Sequence, residues 1–447
     1  MAYAISDHPF YGGEPGFGRL QSLIAAVGVA LAVAAALPLR FAERVLLVAV
    51  TCLVMLALAE AAAAIVLGQS IRPIYQTDER LIFKFIPDRQ SVMKRLPANG
   101  GTVVGHRINT DGFRGEELLP AGSARRVVIY GDSFIHASYT PDDETFAVVL
   151  GRQLQAAAGA RIEVVNAGVS SYGPDQIILK MEDELPRLRP DLVVVSVFAG
   201  NDYGDLMRNK LFRLGADGRL VANRWTLDPA VRSKLELSQR ESLLLRALRQ
   251  MLGSFRSRGG ADGAANEAAK FSDWDFLLAE AEREYRSFIV DGNDVVTNTH
   301  VDYYSADVSL QPESPSARYK VALMRAVLQR IRDVARAQGV PLAFLFIPHP
   351  NDVTDKYDWG PVDRARFPSY DGRNQTAPLE DAARSLGVPF VNLYEPYRAV
   401  DASQLYFRGG DDHWNAAGQR MAAELMARLT APMLPPGLPA AASAPAR

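Results

Sequence analysis

The chain has 447 residues, 48% of them hydrophobic, with 49 Lys and Arg against 51 Asp and Glu and a formal net charge of −2. That length exceeds one small domain and that apolar share supports a sizeable core, while the even charge balance offers no footprint for a nucleic-acid partner. The single cysteine, Cys52, excludes a disulfide framework and a Cys-based metal site.

Residues 1–19 form an N-terminal tail. Leu20 to Leu39 carries no charge across 20 residues between Arg19 and Arg40, long enough to cross a hydrocarbon core of ~30 Å at ~1.5 Å per residue. Val45 to Gly68 is a second apolar run, of 24 residues, broken only by Glu60. A cleaved signal peptide is the rival for the first run, but no basic n-region precedes it and another apolar segment follows at once. A helical pair buried in a soluble core is the rival for both. The reading taken is a transmembrane helical hairpin over residues 20–68, with Glu60 near the outer interface or facing the first helix. Arg40 and Arg44 flank a short loop between the spans, and Asp7 and Glu14 oppose one Arg in the tail. The excess of positive charge at the loop then sets it in the cytoplasm and both termini outside, although Arg72, Lys84 and Arg89 pull the other way.

Residues 69–124 read as a connector with short strands. Ile82 to Ile86 alternates as a strand does, and a turn at Asp111-Gly112 lets Phe113 pack back onto the domain. From residue 125 to 431 the pattern becomes βα. Apolar strands at Val127–Tyr130, Ile162–Val165, Leu192–Phe198, Leu342–Ile347 and Phe390–Leu393 alternate with helices. One helix spans about Glu144 to Ala158, the next ends before Pro186, and the last carries Met421, Leu425 and Leu429 inward. Gly339 and Gly387 close two others. The fold class is therefore α/β: a three-layer, doubly wound, parallel five-stranded sheet covered on both faces, preceded by the membrane hairpin. An insertion at about residues 203–316 interrupts it. Ser238 and Glu241 form a capping pattern before a helix bearing Leu244 and Leu248, residues 253–266 read as a linker, and Phe271 to Ile289 as an amphipathic helix. The insertion leaves the sheet directly after Asn201 and is expected to overhang the site as a lid. Residues 432–447, rich in Pro and Ala, read as a disordered tail.

Four blocks stand at strand ends, where ligands of such sheets bind. They are Gly131-Asp132-Ser133-Phe134, Asn166-Ala167-Gly168-Val169-Ser170, Gly200-Asn201-Asp202 and Asp411-Asp412-His413-Trp414-Asn415. Ser133 begins a helix after a glycine at the strand break. The late Asp-x-His supplies a base for a serine hydroxyl and a carboxylate to orient that base. In this order the blocks resemble the SGNH (GDSL-type) hydrolase superfamily, with its flavodoxin-like sheet, over roughly residues 125–430. The resemblance implies Ser133 as nucleophile, His413 as general base, and Ser133, Gly168 and Asn201 as oxyanion-hole donors. The family's commonest last block has Asp three residues before His, where this chain has Gly410. Asp two residues before, followed by Trp, is similar to bacterial envelope polysaccharide O-acetyltransferases. Asp411 is thus the expected orienting carboxylate, and Asp412, adjacent to the histidine, the weaker candidate.

Among the other histidines, His349 at the end of the fourth strand is a candidate substrate contact. His136 reads as a partly exposed helix residue bordering the site, and His106 has no evident partner. No pair of histidines has ligand spacing with a carboxylate, so no metal or cofactor is expected. The resulting expectation is a serine esterase of the bacterial inner (plasma) membrane, with its catalytic domain facing the periplasm or exterior. It would act on O-acyl, chiefly acetyl, esters of an acylated carbohydrate or a small ester. An O-acetyltransferase fed by a membrane acyl-donor protein uses the same residues, and a non-catalytic envelope scaffold is the third reading.

Overall fold

Five apolar stretches pair into one parallel sheet in the computed structural model, which describes residues 25–29, 32, 38–67, 72–229, 231–233, 236, 241–249, 273–290, 295–298 and 305–435. The strands are β1 (Arg125–Tyr130), β2 (Ile162–Asn166), β3 (Leu192–Phe198), β4 (Leu342–Ile347) and β5 (Phe390–Asn392), in the spatial order β5-β4-β3-β1-β2. Every neighbouring pair is parallel. This order reverses between β1 and β3, the switch point at which a doubly wound sheet opens a crevice.

Successive side chains point to opposite faces of a strand, and here both faces are apolar. On one face Val128, Val193, Val195 and Phe344 pack under helices Pro174–Leu188, Pro315–Ala337 and Ala377–Leu386. On the other, Val127, Ile129, Val194 and Leu345 pack under Phe146–Ala158 and Ala416–Thr430. Two helical details depart from the pattern reading. The helix expected to stop before Pro186 runs on to Leu188, because a proline in the last turn costs one backbone bond without ending it. In the final helix the fully buried face is Ala422, Ala423 and Met426, with Met421, Leu425 and Leu429 only partly buried beside it. Small residues there allow a close approach to the helix Phe146–Ala158.

The connector is built, not slack. Tyr75–Asp78 pairs antiparallel with Ile82–Phe85, and Arg89–Lys94 with Val103–Ile108. The Asn109 side chain accepts from the N–H groups of Asp111 and Phe113 at 3.0 and 2.9 Å, Gly112 takes φ +84°, and Phe113 is buried in the core.

The chain divides into two units, Met1–Gly68 with Ser242–Ala247, and Gln69–Glu241 with Leu248–Arg447. In the first, α1 (Leu39–Val66) contains a stretch, Glu43–Val66, of 24 residues, the one helix among the described residues long and apolar enough to cross a membrane. Arg40 and Arg44 lie inside α1, so the expected loop between them is helix, begun at Pro38. Most of the first apolar run, and with it the hairpin, lies outside the described residues. Among the described residues, Glu60 is engaged by the insertion. Its carboxylate accepts from the Ser242 hydroxyl at 2.6 Å and from the N–H groups of Leu243 and Leu244 at 2.8 and 3.0 Å. That helix therefore begins at Leu243 and is capped from α1; Ser238, the linker and the C-terminal tail from 436 lie outside the described residues.

Candidate active site

β1 ends at Tyr130, and the chain turns through Gly131 into a helix of four residues, Ser133–His136. A Cβ on Gly131 would strike the Ser196 hydroxyl and Ile135, so close approach, rather than an unusual dihedral, requires glycine there. Asp132 caps the helix by accepting from the Phe134 N–H at 2.9 Å. Ser133 is the first helical residue, so its N–H has no intrahelical acceptor.

The last block folds back onto this turn. His413 Nε2 lies 2.7 Å from Ser133 Oγ, and His413 Nδ1 lies 2.7 Å from Asp411 Oδ1. Asp411 also accepts from the His413 backbone N–H at 3.1 Å, while Asp412 stands 3.5 Å from Nδ1 with a more exposed side chain. Burial pulls the imidazolium of His413 down, but the carboxylates of Asp411, then Asp412 and Asp132, outweigh it and raise its pKa above the ordinary 6.5. Burial pushes Asp411 up, and the His413 charge and hydrogen bonds more than offset that, leaving it lowered. Trp414 is buried; its indole N–H donates to the Phe134 carbonyl at 3.1 Å, and its ring meets Phe134 and Phe146. The tryptophan therefore pins the histidine block to the helix Ser133–His136. Asn415 caps the final helix at the N–H groups of Ala417 and Gly418.

Ser133 and His413 open into a cavity of about 300 Å³. Its walls include Ile74, Tyr75, Met93 and His106 from the connector, and no described residue of the insertion. The expected lid is thus replaced, among the described residues, by the connector. The insertion helix Trp274–Val290 instead packs Trp274 and Leu277 against Tyr357, Phe367 and Tyr370.

Three sequence-derived site residues stand differently from expectation. Gly168 does not line the cavity; its N–H donates to Asn166 Oδ1 at 3.1 Å, and a Cβ there would lie 2.6 Å from the His136 nitrogen. Its glycine is explained by packing under the helix Ser133–His136. Asn201 begins the helix Asp202–Asn209 and is likewise absent from the cavity wall. His349 is fully buried and its Nδ1 accepts from the Asn351 N–H at 3.2 Å, so it caps a turn rather than facing substrate. His136 is not partly exposed but 1% exposed, and lines the cavity.

Other residues, missed by spacing, meet the cavity. Ser170 and Ser171 line the cavity, and Ser171 adopts φ +63°, a left-handed conformation uncommon for serine. Its carbonyl accepts from Arg208 at 2.7 Å. Nothing in the local pattern marks a serine for that conformation, and Tyr75 and His106 reach the site only through the connector's pairing.

No protein-family model matches this sequence, and no curated protein sequence does. Among solved structures, a lipase/acylhydrolase from Enterococcus faecalis is similar at 12% identity and TM-score 0.34, covering 70% of this chain and 99% of that one. A catalytic mutant of an acetylxylan esterase from Geobacillus stearothermophilus gives 10% and 0.34, covering 70% and 96%. A psychrotrophic esterase from Pseudoalteromonas gives 12% and 0.31, covering 68% and 96%.

Proposed function

We propose that this chain is a membrane-anchored serine ester hydrolase of SGNH type. The observation that carries the reading is the continuous hydrogen-bonded series Ser133–His413–Asp411, at 2.7 and 2.7 Å, opening on a small cavity. In the proposed cycle His413 Nε2 takes the Ser133 proton as Oγ attacks the ester carbonyl. Asp411 holds the Nδ1–H tautomer and balances the imidazolium. The alcohol leaves with the proton from His413, and water attacks the acyl-enzyme by the same route. The Ser133 N–H and the Ser170–Ser171 turn are proposed as oxyanion donors in place of Gly168 and Asn201, neither of which lines the cavity. Acetyl esters of glycans are the proposed substrates, because a cavity of about 300 Å³ beside Ser133 suits a short acyl group. The same chemistry with a sugar hydroxyl in place of water gives O-acetyl transfer.

The test uses the full chain in detergent. A fluorophosphonate should label Ser133, identified by peptide mapping, and kcat/KM should fall from p-nitrophenyl acetate to the octanoate. Ser133→Ala and His413→Ala should each lower kcat by roughly 10³-fold or more, with the double variant little worse. A phosphonate adduct elsewhere would sink the reading, and a rise with acyl length would point instead to a lipase-like activity.

A further inference from the structure

The proposed mechanism leaves two buried histidines in the cavity wall without a task. His136, at the end of the nucleophile helix, and His106, on the connector strand Val103–Ile108, face each other at 5.0 Å between ring centroids, crossed at 82°. They are 1% and 4% exposed. His136 Nδ1 is held by the hydroxyls of Ser170 at 2.6 Å and Ser138 at 2.9 Å. His136 Nε2 and both ring nitrogens of His106 have no hydrogen-bond partner among the described residues. Buried polar atoms left in this state are uncommon, because each forfeits its water hydrogen bonds. These three atoms belong to two residues of one cavity wall, beside the serine of the site.

The chemistry of a ligand there follows from what else lines the wall. No Lys, Arg, Asp or Glu is among the described lining residues. Both imidazoles are held neutral: burial, then the charge of Arg114, lowers His106 to about 3, and burial, then His106, Arg114 and His413, lowers His136 well below the ordinary value. Burial also raises Tyr75, whose hydroxyl bonds Ser170, to about 12. Hydroxyls, neutral imidazoles and the aromatic rings of Tyr139 and Phe407 match an uncharged, hydroxyl-rich ring. The one lining group able to carry positive charge, His413, is already paired with Asp411, so an anion entering here would lose its hydration without meeting an unpaired cation.

We propose that His106 and His136, with Ser170, form a subsite beside Ser133 that binds the alcohol half of the ester by its hydroxyls, selecting a neutral sugar over an acidic one. The proposal rests on the ester-hydrolase reading for the chemistry at Ser133 but is tested by binding. The full chain in detergent carrying Ser133→Ala is titrated with an acetylated methyl glucoside and with the matching acetylated methyl glucuronide, followed by saturation-transfer NMR. The glucoside should bind roughly tenfold more tightly than the glucuronide. Adding His106→Phe or His136→Phe should weaken glucoside binding about fivefold, with His106→Gln intermediate and available if the phenylalanine variant fails a circular-dichroism check. Equal or tighter glucuronide binding, or histidine variants that bind like their parent, overturns the subsite. Phosphonate labelling of Ser133 in the otherwise unaltered chain separates the two claims. Labelling without sugar selectivity removes the subsite alone, and selectivity without labelling removes the hydrolase reading alone.

Discussion

At the scale of single residues, the two aspartates of the last block differ by less than an ångström in their distance from His413 Nδ1, 2.7 against 3.5 Å, yet their predicted roles are unequal. Asp411 accepts twice from His413 and is the less exposed. Ser133 attack requires neutral imidazole, and the carboxylates raise the His413 pKa above 6.5. Activity is therefore lost as pH falls through a midpoint above that value. Asp411→Asn removes the largest upward pull and leaves the burial, so its acidic limb should move to lower pH, while kcat falls by roughly 10³-fold because the tautomer is no longer enforced. Asp412→Asn should cost less than about fivefold and move the limb only slightly. Profiles of kcat/KM for p-nitrophenyl acetate across the acidic limb decide the matter. A crippled Asp412→Asn beside a mild Asp411→Asn would reverse the assignment.

At the scale of elements, the connector supplies, among the described residues, the cavity wall expected from the insertion. Its Arg114 side chain is 2% exposed and donates to the carbonyls of His136, Ala137 and Thr140 and to Asp142. Those carbonyls end the helix Ser133–His136 and form the loop bearing Ser138 and Tyr139. Arg114→Ala would leave several carbonyls without a donor and should lower stability in urea by about 3 kcal/mol. Arg114→Lys should recover only part, since an ammonium cannot span the same set of acceptors. An Arg114→Ala variant within about 0.5 kcal/mol of the parent would refute the clamp. The five strands, the Asp111-Gly112 turn and the positions of Ser133, Asp411 and His413 were legible in the sequence, because apolar runs and turn chemistry are local signals. The lining role of Tyr75 and His106 was not, because it depends on hairpin pairing across long separations. Nor was the packing role of Gly168 legible: a glycine required for packing and one required for N–H donation look alike in sequence.

At the scale of the whole molecule, the proposed membrane anchoring carries a prediction about the side on which Ser133 lies. The helical stretch Glu43–Val66 has 24 residues, roughly 36 Å at ~1.5 Å per residue, enough to span with some tilt. Arg40 and Arg44 sit in the first turns of α1 rather than in a loop, yet they still place the positive charge at its N-terminal end. Between Arg44 and Arg72 no basic residue occurs. The N-terminal end of α1 is therefore predicted to be cytoplasmic and Gly68 external, with the catalytic unit on the side where exported glycans are found. Alkaline phosphatase fused after Gly68 should be active, and a fluorescent protein that matures only in the cytoplasm should stay dark at the same junction. The opposite pattern would put Ser133 in the cytoplasm. It would remove envelope and exported glycans as substrates, while leaving the hydrolase reading of the Ser133–His413–Asp411 series untouched.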